Sequence, residues 1–440
     1  MVFDTTGRLV KPIHMPLRVS SHYSFVRLRR HLTPLCVILA LTPTSVLAQT
    51  AKLRVDLRTL VHGETEVSAK LEGGGKAVLT INPTLQALAD KTLDDNDVPF
   101  GAAVMVSIPD GKVLVLSGRS ARNNKLGPAE LAVTAWAPAA SIFKLVSAAA
   151  LISVGGVTPQ TEACFAGGLH GIGPEHLRDN PKLDKQCESL AIAVGRSQNV
   201  VLAKLSSRHL DSARMGRIAR DFGFGFQIPF VAEFQASQVD LPGDPLEFAR
   251  MSAGFFHSTL SPLHGALIAA AIGNRGLMPR PLLIESVSGK NADPSAIPAR
   301  RSRRVMDEKV ATDVGAMMEG TVRIGTARSG FYDGRGRAFL PFAIAGKTGS
   351  LNFRGRDGDP ALPPPGAPDN YLQYSWFVGY APYDKPQVAF ATLVGNPVKW
   401  RIKATYLARR MLEGWVAEQK KRPSGQAATE AVPTTIAATN

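Results

Sequence analysis

The sequence predicts an α+β protein in which helices cover the faces of an antiparallel sheet. Three observations predict this class: a strand–turn–strand signal around residue 109, a long central stretch of helix-like segments, and three β-type runs followed by a last helix near the C-terminus. Strands that alternated regularly with helices would instead indicate a parallel sheet. The 440 residues are 45% hydrophobic and 20% charged, an ordinary globular composition that excludes a disordered, collagen-like or disulfide-scaffold chain.

The N-terminus has the order of an export signal. Basic residues between 27 and 31 precede a mostly apolar run from Leu32 to Leu47, and Val46 and Ala48 provide the small residues of a cleavage site. The run is shorter than the roughly 20 residues of a comfortable membrane span. We therefore predict that residues 1–48 are a signal peptide, with an uncleaved N-terminal anchor as the alternative. The protein is then exported, periplasmic or in the cell envelope, and either soluble after cleavage or anchored to the inner membrane.

The charge narrows the choice of partners. The formal net charge is +15, and about +10 remains without residues 1–48. The basic residues are scattered, no nucleic-acid-binding motif is present, and an exported protein is a poor partner for nucleic acid, so we expect no such partner. Acidic phospholipids at a membrane surface, or anionic wall polymers, fit better through a weak attraction that salt screens.

The globular part is predicted to extend over residues 79–421. Residues 49–78 are mixed in character and are interpreted as a linker or small N-terminal extension, and residues 422–440, rich in Pro, Ala and Thr, as a disordered tail. Pro109-Asp110-Gly111 supplies a turn, because proline presets φ and glycine tolerates a positive φ. Hydrophobic patterning predicts, in order, a helix at 83–94, strands at 102–108 and 112–117, helices at 141–153, 187–210, 246–273 and 311–322, strands at 342–350, 375–380 and 387–394, and a helix at 403–420.

Three short motifs carry the chemistry. They are the S-x-x-K of Ser141 and Lys144, the S-x-N of Ser197 and Asn199, and the K-T-G of residues 347–349. Each motif is common by itself. Their occurrence together, in this order and each in a suitable local context, is specific.

The first motif predicts an activated serine. Residues i and i+3 share one face of a helix, so Lys144 can reach the Ser141 hydroxyl. A lysine can take the serine proton only when its amine is neutral, which requires its pKa to fall by roughly 3 units, or about 4 kcal/mol. Burial beside a second cation has this effect. We expect the apolar helix to bury Lys144 and Lys347 to supply the cation.

The other motifs predict substrate contacts. The Ser197 hydroxyl can relay a proton to a leaving amine, and the Asn199 carboxamide can hold the substrate backbone. Lys347 and Thr348 can bind a carboxylate, and Gly349 permits close approach of substrate to the strand. The backbone N–H groups of Ser141 and Ser350 can form an oxyanion hole.

With these motifs the chain resembles the penicillin-binding transpeptidase domain of the serine acyltransferase superfamily. The resemblance covers about residues 79–421 and extends to Ser261-Pro262-Leu263, Gly325-Thr326-Ala327 and the strand that begins at Trp376. It implies a penicillin-binding/β-lactamase-like fold, with an all-helical subdomain beside the sheet and the active site at their junction. It also implies cross-linking of peptidoglycan stem peptides through an acyl-Ser141 intermediate, and acylation of that serine by β-lactams. No glycosyltransferase module fits in the chain, so the resemblance is to a monofunctional member, for which a glycan polymerase is a potential partner.

Other functions use the same motifs. A D,D-carboxypeptidase and a serine β-lactamase share them, and a non-enzymatic β-lactam sensor or scaffold would retain the acylation site. A class A lactamase needs a deacylating glutamate between the second and third motifs, and neither Glu233 nor Glu247 is a convincing counterpart.

Cysteine and histidine usage leaves one question open. Cys164 and Cys187 either pair outside the cytoplasm or remain free buried thiols. His170 and His176 lack metal-ligand spacing, so we expect neither a metal nor another cofactor.

Overall fold

The structure is a computed structural model that describes residues 53–120, 126–168, 171–354, 371–397 and 399–421. The predicted signal (1–48), the predicted tail (422–440) and His170 lie outside the described residues. The strands are β1 Val61–His62, β2 Val67–Lys70, β3 Lys76–Leu79, β4 Phe100–Ser107, β5 Val113–Ser120, β6 Ala137–Pro138, β7 Glu162–Phe165, β8 Gln186–Ser189, β9 Thr259–Leu260, β10 Leu277–Pro279, β11 Ile284–Ser288, β12 Ser302–Arg304, β13 Ala345–Arg354, β14 Tyr371–Ala381 and β15 Val388–Asn396. The helices are α1 Pro83–Asp95, α2 Pro128–Val133, α3 Lys144–Ser153, α4 Leu190–Arg196, α5 Asn199–His209, α6 Ser212–Phe222, α7 Pro245–Ser252, α8 Pro262–Gly273, α9 Glu308–Arg323, α10 Arg328–Phe331 and α11 Ala404–Lys421. Among the described residues, no helix is long and apolar enough to cross a membrane.

A five-stranded antiparallel sheet forms the centre of the molecule, with strand order β13-β14-β15-β4-β5. Alternate residues point to opposite faces of a strand, and both faces of this sheet are covered. Phe377 and Phe390 belong to a core shared with α1 and α11, whereas Trp376 and Val378 belong to the larger core on the opposite face. This arrangement confirms the predicted α+β class.

Polar side chains cap the N-termini of α1 and α8, two helices that pack against the sheet. The Asn82 side chain accepts a hydrogen bond from Leu85 N, and the Ser261 hydroxyl accepts one from His264 N. In both cases a proline follows the cap, where its missing N–H costs nothing. Helix α8 is buried along almost its whole length and packs against the sheet, because it carries little but Ala, Leu and Ile.

The stretch between β5 and β13 is mainly helical, as the resemblance implies, with three short strand pairs, β6–β9, β7–β8 and β10–β12. Two predicted helices are divided. The predicted helix at 187–210 begins as strand β8 and then breaks at Ser197 between α4 and α5, and the predicted helix at 246–273 is interrupted by β9 between α7 and α8. Periodicity alone did not predict these breaks, because the apolar pattern continues through them.

The described N-terminal residues belong to the folded domain. Strands β1, β2 and β3 form a sheet with β11, in the order β1-β2-β3-β11. Leu53, Val55 and Val67 are buried in the same core as the apolar residues of helix α3. Of the two interpretations of residues 49–78, the linker is wrong for 53–78, and the small N-terminal extension agrees with the structure: these residues are packed onto the domain. Its short strands and Gly73–Gly75 run resemble a linker in sequence, and its pairing with β11, some 200 residues away, is a tertiary contact.

Candidate active site

Ser141 lies in a tight 3-10 turn, Ala140–Ile142, and α3 begins at Lys144. Ala140 has a φ of 49°, a left-handed conformation that costs an L-residue about 1 kcal/mol and persists only where packing holds it. Gly254 packs on this turn so closely that a Cβ there would overlap the Ala140 carbonyl. The predicted helix from Ser141 therefore starts three residues late, yet the spacing still brings the serine and lysine together.

The side-chain nitrogen of Lys144 lies at the centre of the site. Its Nζ lies 3.0 Å from Ser141 Oγ, 2.6 Å from Asn199 Oδ1, and 2.9 and 3.1 Å from the carbonyl oxygen and Oγ of Ser197. The side chain is fully buried. Burial, and next the charge of Lys347, hold the pKa of Lys144 well below its ordinary value. A neutral amine in this position can accept the Ser141 proton.

Ser197 and Asn199 reach the site through the break between two helices. Ser197 caps α4 with a left-handed φ of 58°, and Asn199 is the first residue of α5. Asn199 Nδ2 donates to the Gly168 carbonyl at 3.1 Å. Since the amide nitrogen is committed to Gly168, the amide oxygen faces Lys144.

Lys347 reaches the same serine from strand β13. Its Nζ lies 3.0 Å from Ser197 Oγ and 2.9 Å from the Thr348 carbonyl. The side chain is fully buried, and burial lowers its pKa to about 7. The Lys347 side-chain nitrogen thus faces the interior of the site. Because it is not exposed, it is not positioned to bind a substrate carboxylate, as the motif had suggested.

Thr348, Gly349 and Ser350 continue along this edge strand. Thr348 Oγ1 is 2.5 Å from Thr326 Oγ1, and Ser350 is exposed opposite Ser375 of β14. Gly349 is buried, and a Cβ there would lie 3.2 Å from Ile142 Cγ1. The glycine therefore lets the nucleophile's turn pack against the strand, a reason different from the substrate approach that the motif suggested.

These groups open into one cleft of about 320 Å³. Within the described part of the chain, its charged lining residues are Arg196 and Lys403, and no aspartate or glutamate lines it. All three motifs contribute to its wall, so the predicted convergence of residues 141, 197 and 347 is observed.

Several lining residues were not among the predicted site residues. They are Phe255, Thr326, Ser329, Trp376, Trp400 and Lys403. Thr326 and Trp376 were assigned only to segments that resemble the family, and the others carry no motif of their own. Their place in the cleft depends on tertiary packing.

Residues 164–187, which we call the excursion, are closed by a disulfide and pack against α5, the helix that begins at Asn199 of the S-x-N motif. Cys164 and Cys187 are bonded to each other at facing positions of β7 and β8. The fully buried Lys204 of α5 donates to the Cys164 carbonyl at 2.7 Å and to Asp184 Oδ2 at 2.6 Å. The hydrogen bond from Lys204 lowers the pKa of Asp184. The excursion is thus fastened to the helix that begins with Asn199.

No metal-binding group is formed by the described residues: no three His, Cys, Asp or Glu side chains come together as potential ligands.

A serine beside a buried lysine, flanked by a second serine and a second lysine, defines a serine acyltransferase type of centre. Residues 101–412 match the family described as penicillin binding protein transpeptidase domain. The chain belongs to this family, and the resemblance drawn from the motifs is confirmed.

Among characterised proteins, the chain is similar to peptidoglycan D,D-transpeptidase PbpA of Mycobacterium tuberculosis, with 28% identity over 361 residues that cover 76% of this chain and 69% of that protein. It is also similar to stage V sporulation protein D of Bacillus subtilis, with 22% identity over 341 residues, 72% of this chain and 49% of that protein.

Two solved structures share the fold. One is penicillin-binding protein A from M. tuberculosis as an imipenem acyl-enzyme complex (TM-score 0.62, 24% identity, 78% of this chain and 80% of that one). The other is the transpeptidase domain of Burkholderia pseudomallei penicillin-binding protein 3 (TM-score 0.59, 18% identity, 79% and 97%). These likenesses confirm the predicted penicillin-binding fold.

Proposed function

We propose that this protein is a peptidoglycan D,D-transpeptidase that works through an acyl-serine intermediate on Ser141. The observation that carries this proposal is the 3.0 Å contact between Ser141 Oγ and the fully buried Nζ of Lys144. Burial and the neighbouring Lys347 charge lower the pKa of that amine, so it can act as a base near neutral pH.

The reaction follows from these positions. Lys144 takes the Ser141 proton, and Oγ attacks the carbonyl carbon of the penultimate D-alanine of a donor stem peptide. The C–N bond to the last D-alanine breaks, and Ser197, which contacts both lysines, passes a proton to the leaving amine. The amine of a second stem peptide then attacks the ester, forms the cross-link and releases Ser141. The backbone N–H groups of Ser141 and Ser350 stabilise the oxyanion, a contribution of about 3 kcal/mol in such sites.

The cleft supports a synthetic role over a lactamase role. A class A lactamase needs a glutamate that activates water for deacylation, and the described cleft lining has no carboxylate. Glu247 is engaged elsewhere, 2.8 Å from His257 Nε2 and 2.6 Å from Arg250 Nη1. We therefore expect a long-lived penicillin adduct, with β-lactams acting as inhibitors.

Intact-mass measurement tests the proposal. Wild-type protein incubated with benzylpenicillin should gain one adduct that persists for hours, and S141A should gain none. S153A is the matched control, because Ser153 is an exposed serine farther along α3, and it should label like the wild type. Rapid loss of the adduct would indicate a lactamase, and the absence of any adduct would refute the proposal.

Product analysis with a synthetic stem peptide separates the remaining functions. A transpeptidase yields cross-linked dimers, a D,D-carboxypeptidase yields only the shortened peptide, and a sensor or scaffold yields neither.

We also propose that the protein is exported and acts in the cell envelope, close to the membrane surface or to a glycan polymerase. The similarity to a cell-wall transpeptidase supports this location.

A further inference from the structure

Two cationic residues, Arg196 and Lys403, line the described cleft, and the mechanism above uses neither of them. A donor stem peptide ends in a free carboxylate, which remains on the leaving D-alanine. Lys144 and Lys347 are fully buried and direct their ammonium groups at protein oxygens. Neither lysine can meet that carboxylate without leaving the centre.

Lys403 is an exposed cation in the described cleft lining. It lies in the connection from β15 to α11 and lines the same cleft as Ser141. This connection is held in place at both ends: Asn396 Nδ2 donates to the Ile402 carbonyl at 3.0 Å, and Ala404 N donates to Ser375 Oγ at 3.1 Å.

The same anchor fixes Lys403 relative to the strand that binds substrate. Ser375 lies directly opposite Ser350 in the β13–β14 register. Residue 403 is therefore adjacent to the exposed Ser350 end of the K-T-G strand, and its flexible four-carbon stem can carry the ammonium group over the cleft.

The Lys403 ammonium group can bind a substrate carboxylate, because it is not engaged in an ion pair within the described residues. Of the two charged residues in the described lining, Arg196 already has a partner, since its Nη1 lies 2.9 Å from Glu188 Oε1. Within the described part of the chain, no carboxylate lies within ion-pair distance of the Lys403 ammonium group.

We propose that Lys403 binds the C-terminal carboxylate of the donor peptide, together with the Thr348 and Ser350 hydroxyls. This inference rests on the proposed function and adds a residue that determines substrate specificity. A charge-assisted hydrogen bond is stronger than a neutral one, so Lys403 selects substrates whose leaving group carries a carboxylate.

The contribution of this contact can be measured with two thioesters of the same N-acyl-D-alanine, which differ only in the charge of the leaving group. One has mercaptoacetate as the leaving group, with a free carboxylate, and the other has its uncharged methyl ester. Both give the same acyl-Ser141 product, so quenched-flow intact mass compares their acylation rates directly. In K403Q the second-order rate with the carboxylate probe should fall about tenfold, whereas the rate with the ester should change less than about twofold.

Two control variants complete the experiment. K403R keeps the charge and should retain most of the preference. K290Q removes an exposed lysine that follows β11 and does not line the cleft, with the same change in net charge, and should leave both rates unaltered. Equal slowing of both probes in K403Q, or no change with either, would overturn the assignment of Lys403 alone. A wild type that neither thioester nor penicillin acylates would overturn the proposed function as well.

Discussion

At the scale of single residues, the centre depends on two buried amines that share one hydroxyl. Ser197 Oγ lies 3.1 Å from Lys144 Nζ and 3.0 Å from Lys347 Nζ. Two ammonium ions so close together repel each other, and burial makes each charge more costly. The arrangement therefore favours a neutral Lys144, the form that can accept a proton.

Removing the second charge should change the pH dependence of acylation. Acylation requires neutral Lys144, so the rate falls as the pH falls through the pKa of that group. The positive charge of Lys347, which is present below about pH 7, lowers the pKa of Lys144. In K347M that pKa should rise, and the acidic limb of the pH–rate profile for benzylpenicillin should move to higher pH.

The position of the limb is the informative readout, because K347M also loses the hydrogen bond to Ser197 and will be slower at every pH. K290Q serves again as the charge-matched control and should keep the wild-type limb. A limb in K347M that stayed in place or moved to lower pH would contradict the electrostatic account.

The sequence predicted the identity of these residues but not their backbone geometry. The i to i+3 spacing of Ser141 and Lys144 sufficed to predict their contact. The left-handed conformations of Ala140 and Ser197 were not predicted, because neither residue type favours that region. They arise from tertiary contacts such as the packing of Gly254 on the nucleophile's turn.

At the scale of elements, the disulfide-closed excursion from β7 to β8 orients the Asn199 amide of the candidate site from outside the cleft. It supplies the Gly168 carbonyl, which accepts from Asn199. Two bonds from Lys204, to the Cys164 carbonyl and to Asp184, tie the excursion to α5. A buried ion pair of this kind is costly to break, so the excursion holds Gly168 at a fixed distance from Asn199.

A methyl group at Gly168 should test this coupling. Gly168 has a φ of 75°, and a Cβ there would overlap Val200, the residue after Asn199. G168A should therefore reduce penicillin acylation by about tenfold or more and lower the free energy of unfolding by about 2–3 kcal/mol.

Gly167 gives a matched control. Its φ is 65°, but a Cβ there would have its nearest neighbour at 3.4 Å, His176 Nε2. G167A should cost about 1 kcal/mol of stability through backbone strain alone and leave acylation close to wild type. Stability is read by urea denaturation and acylation by intact mass; equal acylation rates in the two variants would argue against the coupling.

The elements themselves were predicted well where local patterning decides them. Helix α1, the β4–β5 hairpin and the three C-terminal strands lie close to their predicted positions. The excursion was not predicted as an element. Its two strands have only four residues each, too few to show a periodic pattern, and the pairing of Cys164 with Cys187 was left open by the sequence.

At the scale of the whole molecule, the family match and the folded unit have different boundaries. The match begins at residue 101, whereas buried side chains of the main core begin at Leu53. Three strands of the four-stranded sheet come from residues before 80. The sequence predicts the domain boundary at 79 because the globular patterning and the family resemblance both begin there, and neither carries information on which strands pair with β11.

Truncation should show where the folding unit begins. A fragment of residues 80–421 loses the buried side chains of β2 and β3 and leaves β11 unpaired, so it should be poorly soluble and fail to label with penicillin. A fragment of residues 50–421 keeps these strands and should unfold cooperatively and label. The comparison uses soluble yield, urea denaturation and intact mass; a fully active 80–421 fragment would show that the extension is dispensable.

The bond between Cys164 and Cys187 makes the reactivity of the site depend on whether these two cysteines are oxidised. Cys187 is exposed, so a reducing environment has access to the bond and would leave the excursion open at its base. In a newly made chain in the cytosol, the Asn199 amide would then be less well oriented, and Ser141 would react more slowly. With the export proposed above, oxidation outside the cytosol would close the excursion, so reactivity would develop in the same compartment as the proposed substrate.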